Sequence, residues 1–502
     1  MAYLILLLIL LVALILLRPR NLPPGPKGIP LLGNLFDLPP PGEQEWQHWL
    51  KHKDLYGPLS SVTVLGKTLI IINDRALAFQ ILEKNSATTS SRPRFTFANE
   101  LCGWDRVILN IDYSPLLRTY RRAITRGIGT RESAARFHSL LQSETRQFLV
   151  RVLNSPEKFI EHNRTAAGAV VLKIVYGYHS EQEGDPLVHL ARQTISEFSD
   201  AVAPKWLVDI LPALKYIPPW MPGGSFHRVA RRYRDAVTRL ATLPFTFTKS
   251  QMSQGQERIS FVSTLLRQGE EEEVVKWSAE GIYGGGSDTT VSVLEAFFLA
   301  MMLFPDVQRK AQAEIDKAFN HEPTLPSVSD RARLPYLHAL IKETLRWHSI
   351  VPLGIPHRAE TAHVVNSHLI PADAILIANV WAFNNDPAVY PRPRQFVPER
   401  FLPGGNPAPD PADVIFGFGR RVCPGRLIAE TSIFLMVAHT LAVFDIKPAP
   451  GADSFSPHFT PGAISHPQVY PAVFTPRSQR HARLIRRFEA DNPVEGGDSH
   501  LL

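Results

Sequence analysis

Three groups of residues in this 502-residue chain have types and spacings suited to chemistry. The first is Phe416-Gly417-Phe418-Gly419-Arg420-Arg421-Val422-Cys423-Pro424-Gly425. Cys423, one of two cysteines, sits in a loop that its glycines make conformationally permissive, just ahead of an apolar helical run, Leu427 to Leu441. A cysteine in that place faces the positive end of a helix and its unpaired N–H groups, which favours thiolate; Arg420 and Arg421 push the same way. Pro424 has no N–H, so Gly425 and the residues after it must supply any hydrogen bond to sulfur. Such a thiolate suits a nucleophile, a redox thiol or a metal ligand. The second group is Gly284-Gly285-Gly286-Ser287-Asp288-Thr289-Thr290, in the middle of the longest helical run, Trp277 to Leu303. Three glycines inside a helix cost on the order of 1 kcal/mol each relative to alanine. The helix must gain a kink there or room for a bulky group, and Asp288 and Thr289 put an acid and a hydroxyl beside the gap. The third is Glu343 and Arg346, three apart on one face of a helix over Leu334 to His348, followed downstream by Phe396-Val397-Pro398-Glu399-Arg400-Phe401.

The elements that must position these groups read mostly as helices. Leu59–Leu65 and Thr68–Asn73 are β-rich runs around Gly66-Lys67 and predict a hairpin, after which Asp74 caps a short helix through Lys84. Phe95 to Asp112 has no clean period. Ser114-Pro115 begins a helix carrying Arg118, Arg121 and Arg122. From Glu132 to about Arg267 the pattern is helical, broken at Pro204, Pro212 and Pro218 to Gly224. Asp445 to Arg477 reads as loops and strands that include Gly462-Ala463-Ile464-Ser465-His466.

Fifty-four Lys and Arg against 47 Asp and Glu give a formal charge of +7, without a basic run long enough for a nucleic-acid arm. Cys102 and Cys423 lie too far apart in sequence to suggest a disulfide framework, which points to a reducing compartment. Ala2 to Leu17 is uncharged and apolar; as a helix it would span about 24 Å, slightly short of a bilayer core. No Lys or Arg precedes it and no small-residue cleavage site follows, which disfavours a signal peptide, while Arg18 and Arg20 place the following side in the cytosol. The expected organisation is an anchor over 1–20, a stiff proline-rich hinge over 21–31 and one large domain over 32–502. The sequon at Asn163 is expected to be accidental in a cytosolic body.

The order Phe-Gly-x-Gly-x-Arg-x-Cys-x-Gly resembles the haem-binding loop of the cytochrome P450 family at every fixed position. The glycine-rich helix resembles that family's oxygen-activation groove, and Glu343, Arg346 and Arg400 resemble its Glu-x-x-Arg helix and Pro-Glu-Arg-Phe segment. The resemblance covers nearly the whole chain and implies a mainly helical fold with a small β region. It implies that Cys423 is the axial ligand of a haem b iron, with Phe416 packed near the sulfur and Gly425 completing the loop. Arg421, Arg121 and His357 would meet the haem propionates, and Glu343, Arg346 and Arg400 would form a buried structural triad. Thr289 would donate to bound dioxygen and Asp288 would relay protons. Leu117 stands where the family usually has a Trp that reaches a propionate.

The implied activity is a membrane-anchored monooxygenase that inserts one oxygen atom from dioxygen into a small, apolar organic substrate. Electrons would come from NADPH through NADPH–cytochrome P450 reductase, with Arg420, Arg421 and Arg426 as candidate docking cations. The implied location is the endoplasmic reticulum membrane, single-pass, with the catalytic body cytosolic. The general likeness is to fungal microsomal members of secondary metabolism. The alternatives are a haem-thiolate isomerase or dehydratase that uses no dioxygen, and a haem carrier or sensor. The intact Asp288-Thr289 pair speaks against the first, and the glycine-opened helix against the second.

Overall fold

A computed structural model describes residues 21–203, 205–404, 407–452, 455–491 and 496–502. The expected anchor over 1–20 lies outside the described residues. The chain divides between two compact units: one takes the chain up to Pro93 with Val351–Phe383 and Gly417–Val422, the other Arg94–Ile350, Asn384–Phe416 and Cys423–Leu502.

The first unit carries the larger sheet, in the order β1 (Leu59–Val64), β2 (Lys67–Ile72), β6 (Ile375–Ala378), β3 (His357–Arg358); β4 (His363–Val365) and β5 (His368–Ile370) pair separately. The expected hairpin is present, with Val64 opposite Lys67. Its two-residue turn takes positive φ at both Leu65 (48°) and Gly66 (84°), the pattern that matches strand twist in tight hairpins. β2 pairs with β1 antiparallel and with β6 parallel, so Ile70, Ile71 and Ile72 lie fully buried at the centre. Asp74 caps the next helix by accepting from Leu77 N–H, as its residue type requires.

The second unit is helical apart from β7 (Phe444–Pro448) and β8 (Ala472–Pro476), which pair antiparallel. Its helices include α1 (Pro115–Ile124), α2 (Phe159–Tyr176), α3 (Glu272–Leu303), α4 (Pro335–Trp347) and α5 (Arg426–Val443). Ser114 caps α1 and Pro115 occupies its first turn, where a missing N–H costs nothing. α3 is the axis: it packs against α1, α2, α4 and α5. Its C-terminal half buries Phe297 and Phe298; Phe298 stacks on Phe148 and meets Phe159 and Phe474 edge-on. α3 and α5 are long and apolar enough to cross a membrane, but both are mostly buried inside the protein and read as core helices. Asn163 is fully buried and donates to Val291 O, so the sequon is closed to modification.

The segment without period, Phe95 to Asp112, is a packed loop with one π turn (Thr96–Leu101) and a short 3₁₀ turn (Trp104–Arg106). Phe97 stacks on Trp206 at 3.6 Å and its N–H donates to Asp209, which ties this loop to the connection after the helix Pro186–Ala201.

Candidate active site

Cys423 lies at the start of α5 in the second unit. Its N–H donates to Phe416 O at 2.7 Å, closing the loop, and the Gly425 N–H donates to its sulfur. A Cβ on Gly425 would sit 4.0 Å from that sulfur, so glycine keeps the amide's approach open. The Arg426 guanidinium lies over the Phe416 ring at 5.1 Å and pairs with Glu430. Against the low-pKa expectation, burial pushes the Cys423 thiol above its ordinary value; the Gly425 amide, Arg121 and Arg426 pull it down, and Glu430 adds to the rise. A buried thiol held protonated is a poor free nucleophile or redox thiol. A bound metal cation deprotonates a coordinating thiol outright, so this setting fits the third of the sequence alternatives best. Cys102 is inert by the same reasoning: burial lifts it to about 12.

The opening in α3 is visible as exposure. Residues 284 to 290 are all partly or fully exposed, between stretches of the same helix that are buried. A Cβ on Gly285 would meet nothing within 4 Å, and one on Gly284 only the Glu280 carboxylate at 3.5 Å. Gly286 packs closely, with Val171 of α2 at 3.0 Å from a Cβ there. Gly281, not singled out from sequence, is tighter still: a Cβ would lie 2.4 Å from Ile108. Close packing therefore explains Gly281 and Gly286, and open space remains at Gly284 and Gly285. The first turn of α5 and the loop before it, 422 to 430, are half-exposed in the same way. Both stretches thus leave surface that a bound group could cover, one of them next to the Cys423 thiol. Among the described residues no cluster of three His, Cys, Asp or Glu forms a protein-built metal site.

Thr289 donates its hydroxyl proton to Gly285 O at 2.9 Å, so its oxygen is left as an acceptor in this state. Asp288 Oδ2 lies 3.2 Å from His466 Nε2, whose Nδ1 lies 3.0 Å from Glu295 Oε2; Arg164 of α2 lies 3.2 Å from Glu295 Oε1. None of these three partners is evident from the motifs. The available signal was Glu295 as the one acid in the apolar run after Thr290, two turns beyond Asp288.

Arg121 of α1 is held below its ordinary pKa by burial, with Cys423 as the group that favours its charge. Leu117 is fully buried, so the residue in the family's Trp position serves packing. Glu343, Arg346 and Arg400 come together as expected. Arg346 Nε and Nη2 donate to both Glu343 oxygens at 2.7 and 2.8 Å, and Arg400 Nε lies 3.1 Å from Oε2 as an ion pair. Arg346 also donates to Asn384 O and Gln395 O, and Glu343 accepts from Val397 N–H.

In the first unit, Gly417 (φ 83°) and Gly419 (φ 51°) need glycine's freedom, and a Cβ on Gly419 would lie 2.8 Å from Leu82 O. Arg421 is buried and donates Nε–H to Ser90 O at 2.6 Å, which corrects its place among the docking cations: a buried guanidinium offers no docking charge. Arg420 is exposed. His357 is buried, with Nδ1 donating to Thr89 O at 2.7 Å. Burial, then the charge of Arg92, push it well below the ordinary value; the Thr89 bond opposes them and Arg421 lowers it further. Its single N–H is therefore spent on Thr89 while the ring is neutral.

This fold, mostly helical with small sheets, and this cysteine loop suit a protein that holds a metal group through a single thiolate. The description Cytochrome P450 matches residues 23–472, and the chain belongs to the cytochrome P450 family. It is 43% identical to cytochrome P450 monooxygenase claR of Ampulloclitocybe clavipes, over 96% of this chain and 92% of that one. It is 42% identical to cytochrome P450 monooxygenase ppsD of Aspergillus oryzae (96% and 94%) and 39% identical to O-methylsterigmatocystin oxidoreductase of Aspergillus flavus (96% and 94%). The protein is accordingly an oxidoreductase, a P450 monooxygenase whose family membership implies a haem-iron cofactor and a redox partner.

Proposed function

We propose that this protein hydroxylates, or oxidises in a related way, a small apolar organic substrate in fungal secondary metabolism, anchored by residues 1–20 to the endoplasmic reticulum with its body in the cytosol. The observation that carries the oxygen-using reading is the open stretch at Gly284–Gly285 with Asp288 and Thr289 on its rim. When bound, the haem iron supplies the activation of dioxygen, with electrons from NADPH through a reductase. Cys423 is its thiolate ligand. The Gly425 N–H on the sulfur draws off part of its negative charge and fixes its direction. Phe416 closes the loop around the ligand and carries Arg426 on its ring face. Arg121, and in the first unit Arg421 and His357, are assigned to the propionates on the sequence motifs. With its one N–H on Thr89 O, His357 would need a second proton at Nε2 to donate to a propionate, which burial and Arg92 oppose and the carboxylate's charge would favour.

Asp288 holds a carboxylate at the rim of the opening and passes protons inward as a positioned general acid. Thr289 accepts from a water with its oxygen lone pairs while its own proton stays on Gly285 O. The test is a reconstituted assay with NADPH and reductase on candidate apolar substrates. Products heavier by one oxygen, with dioxygen consumed, are expected; turnover without oxygen would favour the isomerase. Cys423→Ala is expected to lose the thiolate-type ferrous–carbonyl spectrum, and an unchanged spectrum would end the assignment. Removal of residues 1–20 is expected to leave a folded, haem-loaded body that no longer resists alkaline carbonate extraction.

A further inference from the structure

The turn Gly462–His466 is joined to α3 by more than packing. Phe459 and Pro467 pair across it, Thr460 N–H donates to His466 O, and His466 N–H donates to Thr460 Oγ1. Ser465 N–H donates to Ile350 O, while Ser465 O accepts from Ser292 of α3 at 2.6 Å and from His348 Nε2 at 2.9 Å. The backbone of the turn is thus tied to α3, and His466 presents its side chain from it. That side chain is mostly buried and lies between two carboxylates of α3, with Nε2 at 3.2 Å from Asp288 and Nδ1 at 3.0 Å from Glu295.

An imidazole with a carboxylate at each nitrogen donates from both only as the cation. Burial works against that charge, but the hydrogen bonds and charges of Asp288 and Glu295 outweigh it and raise the ring to about 9. The charged groups around it are Asp288 and Glu295 from α3, with Arg164 of α2 reached through Glu295; His348, after α4, is kept near 4 by burial and stays neutral. Glu295 is almost fully buried and takes its second partner from Arg164. The inner carboxylate is therefore balanced without Asp288, and Nε2–H is directed to Asp288 alone.

We infer that His466 is a positioning and proton-supplying residue for Asp288: it holds the carboxylate at the rim of the open stretch of α3 and replaces the proton that Asp288 gives up. This rests on the monooxygenase reading above. The step balances simply. The Nε2 proton of His466 passes to the Asp288 carboxylate at Oδ2; Asp288 delivers that proton inward and returns to carboxylate; the neutral imidazole keeps Nδ1–H on Glu295 and regains a proton at Nε2 from hydronium of the bulk solvent. No redox change falls on these residues. The chemistry it serves is the delivery of protons to reduced dioxygen, so its failure diverts electrons into peroxide.

The experiment uses full-length, haem-loaded enzyme and two readouts. Histidine ring resonances are recorded with ¹³C-labelled histidine in the diamagnetic ferrous–carbonyl state, His466 being the signal missing from His466→Gln. That signal is expected to titrate near 9, and to return towards the ordinary value in Glu295→Gln. Peroxide formed per NADPH is then measured against pH. Wild type is expected to uncouple as pH rises through the His466 titration. His466→Gln and His466→Ala are expected to uncouple on the order of tenfold more at neutral pH, with that pH dependence gone. A His466 signal titrating at the ordinary value, or His466→Ala coupled like wild type at every pH, overturns the inference. If wild type itself lacks the thiolate spectrum or consumes no oxygen, the monooxygenase reading fails instead, and the titration still decides whether His466 is held between the two acids.

Discussion

Glu343 meets guanidinium nitrogens of Arg346 at both carboxylate oxygens, with Arg400 against one of them, and the Arg346 donors left over end on backbone carbonyls. Asp288, His466, Glu295 and Arg164 are a chain: each contact is single, its inner member is buried, and its two ends, Asp288 and Arg164, are partly exposed. Arginine cannot give up its proton in a protein, so the first cluster stores charge without moving it. Imidazole can, and it sits where an exposed carboxylate can take the proton. Similar acids and bases thus make a rivet in one place and a relay in the other, and the difference lies in closure and in which base is used.

The largest expected effect is on the rivet. Glu343→Ala strands two guanidiniums in the interior, Arg346 fully buried and Arg400 nearly so, and is expected to cost about 3–5 kcal/mol. Denaturation of haem-loaded protein should show it directly, and a loss under about 1 kcal/mol would break the distinction between the clusters. Asp288→Asn reverses the pattern: the fold and the ferrous–carbonyl spectrum stay, and product formation falls about a hundredfold or more. A matched loss of stability in this variant would make the relay a second rivet.

A smaller effect follows from His466. Its folded pKa of about 9 exceeds the ordinary 6.5, so it is the protonated ring that folding favours. The contribution is complete below about pH 6.5 and is lost as pH rises through about 9. It is on the order of 2 kcal/mol, given about 1.4 kcal/mol per unit and the partial solvent access of Asp288. Melting curves of wild type and His466→Gln should therefore lie furthest apart under mildly acidic conditions and converge in alkali; parallel curves would mean that the ring carries no charge. The smallest change is at Arg164→Gln. Its guanidinium is 41% exposed, so no more than about 1 kcal/mol should be lost, with a modest rise of the His466 pKa as the check, since a like charge near the ring is removed.

Local chemistry made much of this legible. Ser114 before Pro115 and Asp74 before Arg75 announce helix starts because a cap needs only an oxygen beside the first amides. Glu343 and Arg346 declare a shared face by spacing alone, and Arg400 joins them through the family motif. His466 did not declare itself, because its partners lie 171 and 178 residues away and no periodicity links a turn to a helix. The thiol expectation failed for a related reason. The dipole and cations near Cys423 are readable from adjacent residues, whereas the burial that outweighs them is a property of the folded unit. The need for Gly281 is not legible in the sequence because its collision partner, Ile108, belongs to a loop without periodicity.

The uneven footing of the glycines along α3 bears on how readily the enzyme can be reshaped. A methyl added at 281 would strike Ile108, and one at 286 would press on Val171, whereas one at 285 would meet no protein atom. Volume can be added to the opening at one place without disturbing the scaffold. Gly285→Ala should even firm the helix by nearly the alanine–glycine difference, on the order of 1 kcal/mol. Position 285 is where a designer, or natural variation, can adjust the room beside Asp288 in steps of a single carbon.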